Sequence, residues 1–162
     1  MSLQQSLKAA LIVPALLALA VATSPGVQAA DPLEGVVKAR QGYFQLVLLN
    51  AGTLFGMAKG DVAYDADKAQ TAADNLVLLS SMDTSALWAA GTSKEEMPGK
   101  TRALKAIWDT WPAVTEKVAA FKKATADMAD FAGAGVEGIQ ANAGALGGAC
   151  KGCHDDFRAK DF

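Results

Sequence analysis

The chain has 162 residues, of which 51% are hydrophobic and 20% are charged, and its formal net charge at pH 7 is −2. This length and composition suit a single domain with one core. The slightly acidic balance excludes the basic footprint of a nucleic-acid-binding protein and a polybasic membrane patch.

Residues 1–29 have the pattern of a signal peptide. A short start is followed by an apolar stretch over residues 9–22, a Ser-Pro-Gly helix breaker, and small residues at Val27 and Ala29. A membrane anchor is the alternative, but about 14 apolar residues are fewer than the roughly 20 that a spanning helix needs. We therefore predict export to the periplasm and cleavage, which leaves a mature domain of residues 30–162 outside the membrane.

Two helices are predicted in the first half of this domain. The first begins at Asp31, where an N-cap acid precedes Pro32 and a glutamate lies in the first turn. Its apolar residues recur at helical spacing until the Lys-Gly pair at 59–60. The second helix starts near Asp65 and continues with the same period to Ser80.

A long connection and a third helix follow. Residues 81–100 lose the helical period and are rich in glycine, serine, threonine and proline. A connection of this length is usually functional or packed against the rest of the fold, and we expect its Trp88 to be buried. The third helix is predicted over residues 104–128, with Pro112 in its first turns or at a kink, and the Gly-Ala-Gly at 133–135 ends it.

The last predicted helix carries an apolar seam that contains both cysteines of the chain. Steps of three and four residues join its members, as in a heptad repeat. Four helices without a strand pattern predict an all-α, up-down four-helix bundle whose interior can hold a cofactor. The seam residues are Val136, Ile139, Ala143, Leu146, Cys150, Cys153 and Phe157.

Cys150, Cys153 and His154 carry the chemistry of this sequence. Positions i, i+3 and i+4 of a helix share one side, so both thiols and the chain's one imidazole point the same way. Cys-x-x-Cys-His is the signature of covalent c-type haem attachment, in which two thioethers hold the porphyrin and the imidazole binds iron. Export supports this interpretation, because such thioethers are made outside the bacterial cytoplasm.

Three alternatives use some of the same residues. A thioredoxin-like dithiol also has a Cys-x-x-Cys motif, but it normally follows a strand. A zinc site would need a fourth ligand, for which Asp155 and Asp156 are the local candidates. A plain disulfide is the third alternative.

The motifs together resemble bacterial cytochrome c′, a class II c-type cytochrome, from about Leu33 to Lys160. The position of the haem motif near the C-terminus matters most, because class I cytochromes c carry it near the N-terminus. The matching motifs are V-V-K-A-R-Q at 36–41, Lys59-Gly60, W-A-A-G-T at 88–92, Trp108 and C-K-G-C-H-D-D-F-R at 150–158.

The resemblance implies a left-handed four-helix bundle that forms a homodimer through its first two helices. It also implies one haem c per chain, with thioethers at Cys150 and Cys153 and with His154 as the axial iron ligand.

Four further haem-site residues follow from the resemblance. Arg40 and Gln41 match an Arg-Gln pair that contacts the haem propionates, and an arginine in a mostly apolar face is well explained by a dianionic partner. Thr101 matches another haem-contact position. Arg158 matches an arginine on the proximal, solvent-facing side of the axial histidine.

Phe44 matches the distal residue, which in this family lies over the iron. Phenylalanine offers no lone pair, whereas low-spin relatives place a methionine on the first helix. The first helix contains Met57, but 13 residues beyond Phe44 is about 20 Å along a helix. We therefore predict five-coordinate, mainly high-spin iron with an apolar, crowded distal side. Trp88 matches a bulky aromatic position near that pocket.

Two functions are compatible with such a site. The first is binding of NO and CO, with sequestration of NO as the biological role. The second is electron transfer between Fe(III) and Fe(II) in concert with a redox partner protein. Because the one histidine is assigned to iron, the sequence shows no nucleophile paired with a base, and we do not predict an enzyme.

Overall fold

The computed structural model describes residues 31–162, so the predicted signal peptide at residues 1–29 lies outside the described residues. Residues 31–162 contain no β-strand apart from an isolated antiparallel β-bridge between Ala103 and Arg158. The α-helices are α1 (Pro32–Lys59), α2 (Ala66–Ser81), α3 (Ala106–Asp109), α4 (Trp111–Ala129) and α5 (Val136–Phe157), with 3₁₀ turns at Ser85–Trp88 and Ala132–Ala134.

The four long helices form a bundle in which neighbours in sequence are neighbours in space. Helix α1 packs against α2, α2 against α4 and α4 against α5, and α5 closes the ring against α1. Short connections between α1 and α2 and between α4 and α5 make these neighbours antiparallel. The predicted all-α, up-down four-helix bundle is confirmed.

The helix starts agree with the sequence patterns that predict them. Asp31 accepts a hydrogen bond from the backbone amide of Leu33 at 2.9 Å, and Asp65 accepts one from the amide of Lys68 at 3.0 Å. Gly60 ends α1 at φ 81°, a left-handed conformation that glycine adopts without a steric cost. Local capping therefore fixes the ends of both helices.

Two hydrophobic clusters stabilise the bundle. The larger contains completely buried residues of all four long helices, and burial of each large side chain contributes about 1.5–3 kcal/mol. The smaller consists of Ile107, Val114 and Phe157, and it joins α3, α4 and the end of α5. The largest buried hydrophobic side chains of the first cluster are Leu54, Leu76, Met128, Ile139 and Leu146.

The predicted third helix is wrong in its continuity. The structure divides it at Thr110 into α3 and α4, and Pro112 lies in the first turn of α4. Proline has no N–H to donate to the carbonyl four residues earlier, so an unbroken helix would lose a hydrogen bond here. Helix α4 also ends at Ala129, ahead of the predicted Gly-Ala-Gly.

The connection between α2 and α3 is more ordered than its composition predicts. It contains the 3₁₀ turn Ser85–Trp88 and a reciprocal cap, in which Ser93 and Glu96 each accept a hydrogen bond from the other's backbone amide. Trp88, predicted to be buried, is half-buried instead. Its ring packs against the smaller cluster but stays open on one side.

Candidate haem site

Helix α5 places the haem motif in its last two turns. Cys150 and Cys153 are free thiols and both are half-buried, while His154 is exposed. Cys153 packs against the smaller hydrophobic cluster, which includes Phe157 of the same helix. One helical turn therefore presents two thiols and an imidazole together, as the sequence predicts.

The thiols differ from those of a redox-active dithiol. Burial raises the pKa of both Cys150 and Cys153, and the nearby Lys117 offsets this only in part at Cys153. A thioredoxin-like motif needs an attacking cysteine with a lowered pKa. Neither thiol therefore has the lowered pKa that a thioredoxin-like mechanism requires.

The His154 ring is prepared to act as a metal ligand. Partial burial and, secondarily, the charge of Arg102 lower its pKa, which favours the neutral form that binds metals. Arg158 Nη1 lies 3.0 Å from His154 Nδ1. Because arginine can only donate, this contact makes Nδ1 the acceptor, so binding of a metal through Nε2 would require the ring proton to move to Nδ1.

The end of α5 is tied to the connection that precedes α3. The amide of Leu104 donates to the Phe157 carbonyl at 3.0 Å, and the amide of Ala159 donates to the Arg102 carbonyl at 2.8 Å. These bonds satisfy backbone groups at the end of the helix. They hold the turn that carries His154 in a fixed place relative to the connection.

On both α1 and α4, the face that packs into the bundle includes one exposed apolar side chain, and the two lie toward the same end of the bundle. Phe44 lies between buried Arg40 and Val47 on α1, yet it is 42% exposed. Val118 follows Val114 by one turn on α4 and is 49% exposed, whereas Val114 is 5% exposed. Each helix therefore leaves one apolar side chain exposed at a position that continues its buried face.

Aromatic rings connect Phe44 to the region of the haem motif. The Phe44 ring meets the Trp88 ring edge-on at 6.3 Å between centroids, and Trp88 meets Trp108 at 6.2 Å. Trp88, Trp108 and Cys153 all pack against the smaller hydrophobic cluster. Phe44 and the thiols are therefore at the same end of the bundle.

Two of the predicted haem contacts, Arg40 and Gln41, donate hydrogen bonds to the connection between α2 and α3, and a third, Thr101, lies in that connection. Arg40 donates to acceptors in the connection, among them Thr101 Oγ1 at 2.9 Å. Gln41 donates to the carbonyl of Lys100 at 2.8 Å. The propionate contacts of Arg40 and Gln41 and the haem contact of Thr101 stay predictions, and these side chains already join α1 to the connection.

Sequence reasoning missed two residues of this region. Val118 has the helical spacing of a buried position, and only the structure shows that it is exposed. Thr92, completely buried, accepts hydrogen bonds from Arg40 through both its hydroxyl and its carbonyl. The Ser-x-x-Glu pattern at 93–96 was a signal of order in this segment.

The residues present fit a haem c. Two half-buried thiols at i and i+3, an imidazole at i+4 and the exposed apolar side chains of Phe44 and Val118 match what a flat, covalently held porphyrin requires. The zinc alternative lacks a ligand set, since no group of three or more His, Cys, Asp and Glu in the described part of the chain is placed to hold a metal ion. The disulfide alternative is not formed, because both cysteines are free.

None of the helices described over residues 31–162 is both long enough and apolar enough to cross a bilayer.

Comparison with known proteins agrees with the geometry. The sequence profile of the family described as cytochrome c′ matches residues 35–158. A cytochrome c′ of Cereibacter sphaeroides is 46% identical over 145 residues, which cover 90% of this chain and 97% of the relative.

Two solved structures add detail. A cytochrome c′ described as having an unusual ligand-controlled dimer dissociation has a TM-score of 0.72 at 26% identity, covering 79% of this chain and 97% of that one. The nitric oxide complex of the L16V mutant of cytochrome c prime from Alcaligenes xylosoxidans has a TM-score of 0.67 at 28% identity, with coverage of 79% and 97%.

Proposed function

Because the chain belongs to the cytochrome c′ family, whose members bind haem c covalently, we propose that it is an exported, non-enzymatic haem protein that binds NO and CO. In this proposal the binding site is apolar and the biological role is sequestration of NO in the periplasm. The nitric oxide complex of the Alcaligenes xylosoxidans relative supports the ligand class.

Three residues of α5 hold the cofactor in this proposal. Cys150 and Cys153 would form the two thioethers, and His154 would bind the iron through a ring nitrogen. Held in this way, the haem would supply an iron that can bind NO or CO. Arg158 lies beside the ring, with Nη1 3.0 Å from His154 Nδ1.

The exposure of the apolar side chains of Phe44 and Val118 carries the proposal. Phe44 has no atom that can bind iron, and neither does Val118. The polar groups nearby have their hydrogens engaged: Tyr43 donates to the Leu79 carbonyl at 3.1 Å, and the Trp108 indole N–H donates to the Trp88 carbonyl at 2.9 Å. These contacts leave an apolar distal side.

An apolar distal side selects among diatomic ligands. Distal polarity, hydrogen-bond donors and steric access decide which ligands a haem pocket accepts. Without a free donor, O₂ gains little stabilisation, whereas NO and CO depend less on such a bond. The Phe44 and Trp88 rings add a steric limit that favours small ligands.

A substitution at Phe44 tests the distal assignment. Phe44→Met introduces a thioether on α1 that can bind iron, so the absorbance spectrum should move from high spin toward low spin. Phe44→Leu is the matched control, because leucine is similar in size but offers no ligand atom, and it should stay high spin. An unchanged spectrum in Phe44→Met would mean that residue 44 does not face the iron.

The biological role needs a separate test. A deletion strain should survive NO exposure less well, and the wild-type gene should restore survival. Electron-transport rates measured in the same strains distinguish the second candidate function, which the exposed ring of His154 favours as a contact point for a redox partner protein. Reduced electron transport with normal NO survival would select that second function.

The homodimer is part of this proposal and uses α1 and α2. A groove between these helices is lined by Leu49, Thr53 and Thr71 among others, and Leu46 and Leu78 lie exposed one or two turns away. The relative with ligand-controlled dimer dissociation supports a dimer. Leu49→Glu should give a monomer in sedimentation velocity, and a monomeric wild type would refute the proposal.

A further inference from the structure

Arg40 is a buried cation that the structure surrounds with neutral acceptors. Its side chain is 3% exposed, and no carboxylate in the described part of the chain forms an ion pair with it. Nη1 donates to the Leu87 carbonyl at 3.1 Å and to Thr92 Oγ1 at 3.0 Å. Nη2 donates to the Thr92 carbonyl and to Thr101 Oγ1, both at 2.9 Å.

These bonds compensate for a costly burial. Desolvation disfavours the charged guanidinium and lowers the pKa of Arg40. The Trp88 and Trp108 rings, centred 5.0 and 5.9 Å from the guanidinium carbon, add cation–π contacts. Whatever else it contacts, the guanidinium is held by four hydrogen bonds to one segment of the chain.

All of these acceptors belong to the connection between α2 and α3, whereas Arg40 belongs to α1. The guanidinium therefore closes loops of 47 to 61 residues with one side chain. Two surface contacts also join α1 to the connection. Gln41 donates to the Lys100 carbonyl, and Lys100 pairs with Glu34 at 3.1 Å. Among these contacts only those of Arg40 are buried.

Trp88 links this network to the distal side. Its backbone follows Leu87, whose carbonyl accepts from Arg40, and its ring contacts both the guanidinium and Phe44. We propose that Arg40 is a positioning residue that holds the connection on α1 and thereby sets the Trp88 ring against Phe44. The consequence for ligand entry rests on the proposed function, but the anchoring of the connection does not.

The fork shape of the guanidinium separates this role from a charge contact with a propionate. Four terminal N–H groups in one plane reach four acceptors, and the single ammonium of lysine cannot reproduce that arrangement. Arg40→Lys should preserve a contact that needs only positive charge. It should lose an anchor that needs the forked geometry of the guanidinium.

Hydrogen exchange of the haem-loaded protein, followed by mass spectrometry, tests the anchor. In Arg40→Lys, amides of residues 87–101 should exchange about tenfold faster or more, as expected for loss of charge-assisted hydrogen bonds, while amides of α2 stay unchanged. Thr92→Val should give the same pattern from the other side of the contact. Thr92→Ser keeps the hydroxyl and should behave like wild type.

CO association after flash photolysis tests the consequence for the pocket. Arg40→Lys and Thr92→Val should each bind CO several-fold faster, because Trp88 is less restrained. In a double-mutant cycle with Phe44→Ala, the combined effect should be smaller than the product of the single effects, since both changes relieve one obstruction.

The outcomes separate the two proposals. Unchanged exchange in both Arg40→Lys and Thr92→Val would overturn the anchor, and so would wild-type exchange and CO rates in Arg40→Lys. Multiplicative CO effects in the cycle would overturn the link to Phe44. A wild-type protein that binds neither CO nor NO would refute the proposed function, while the exchange experiment would still decide the role of Arg40.

Discussion

Replacing Val118 with alanine measures whether the cofactor covers this exposed side chain of α4. Val118 and Val114 are one turn apart on α4, but their exposures are 49% and 5% in the polypeptide. Val114→Ala is therefore a matched reference for a valine that protein atoms already cover. Both substitutions change the helix propensity by the same amount.

The reference value follows from burial. Val114→Ala removes two methyl groups from a packed cluster, which costs about 1.6 kcal/mol in transfer and roughly 2 kcal/mol with the cavity included. Alanine returns up to about 0.6 kcal/mol through its higher helix propensity. We expect a net loss of about 1.5 kcal/mol in the free energy of unfolding.

The value for Val118 depends on what covers it. If water covers Val118, half of the transfer free energy is absent and no cavity forms. The higher helix propensity of alanine then cancels the remaining transfer free energy, so Val118→Ala should change the free energy of unfolding by no more than about 0.5 kcal/mol. If the porphyrin covers it, Val118→Ala should cost about as much as Val114→Ala, about 1.5 kcal/mol. The haem assignment predicts the second result.

Urea denaturation of the haem-loaded proteins, followed by circular dichroism at 222 nm, provides the measurement. With a slope of about 2 kcal/mol per molar urea, a loss of 1.5 kcal/mol lowers the midpoint by roughly 0.7 M. Both variants should show this shift. A Val118→Ala midpoint equal to that of wild type, beside a lowered Val114→Ala midpoint, would refute the position assigned to the cofactor.

Three further predictions concern attachment, helix packing and pH. Cys153→Ser should leave haem that acid acetone extracts more readily, and full covalent retention would contradict the two-thioether assignment. A Cβ on Gly138 would lie 2.4 Å from the Phe131 carbonyl oxygen, so Gly138→Ala should lower the free energy of unfolding. A Cβ on Gly144 meets nothing within 4 Å, so Gly144→Ala should raise it by about 0.5–1 kcal/mol. Equal thermal midpoints for the two variants would contradict this prediction. Burial raises the pKa of Tyr43, so its contribution to stability is present below about pH 10 and is lost as the pH rises through the folded-state pKa; urea denaturation across that range should show a shallower loss in Tyr43→Phe than in wild type.

Sequence reasoning succeeded where structure depends on near neighbours. The starts of α1 and α2 follow from Asp31 and Asp65, whose carboxylates cap amides two and three residues away. The haem motif is equally local, because one turn of α5 brings Cys150, Cys153 and His154 together. The bundle followed from helical periods and the absence of a strand pattern.

The same reasoning was incomplete where partners are distant in sequence. Arg40 was assigned to haem propionates, and nothing near it in the sequence indicates that its acceptors lie 47 to 61 residues away. The exposure of Val118 depends on what packs against that turn of α4, which a helical period cannot express. The break before α4 was a different case, since Pro112 allowed either an early position or a kink.

The backbone bonds that tie the end of α5 to the connection have a mechanical consequence. Leu104 and Ala159 take part in these bonds, and the same connection carries Trp88. A displacement of the last turn of α5 toward or away from the bundle axis therefore moves the tryptophan side of the pocket with it. The two bonds thus couple the helical turn of Cys153 and His154 to the segment that carries Trp88.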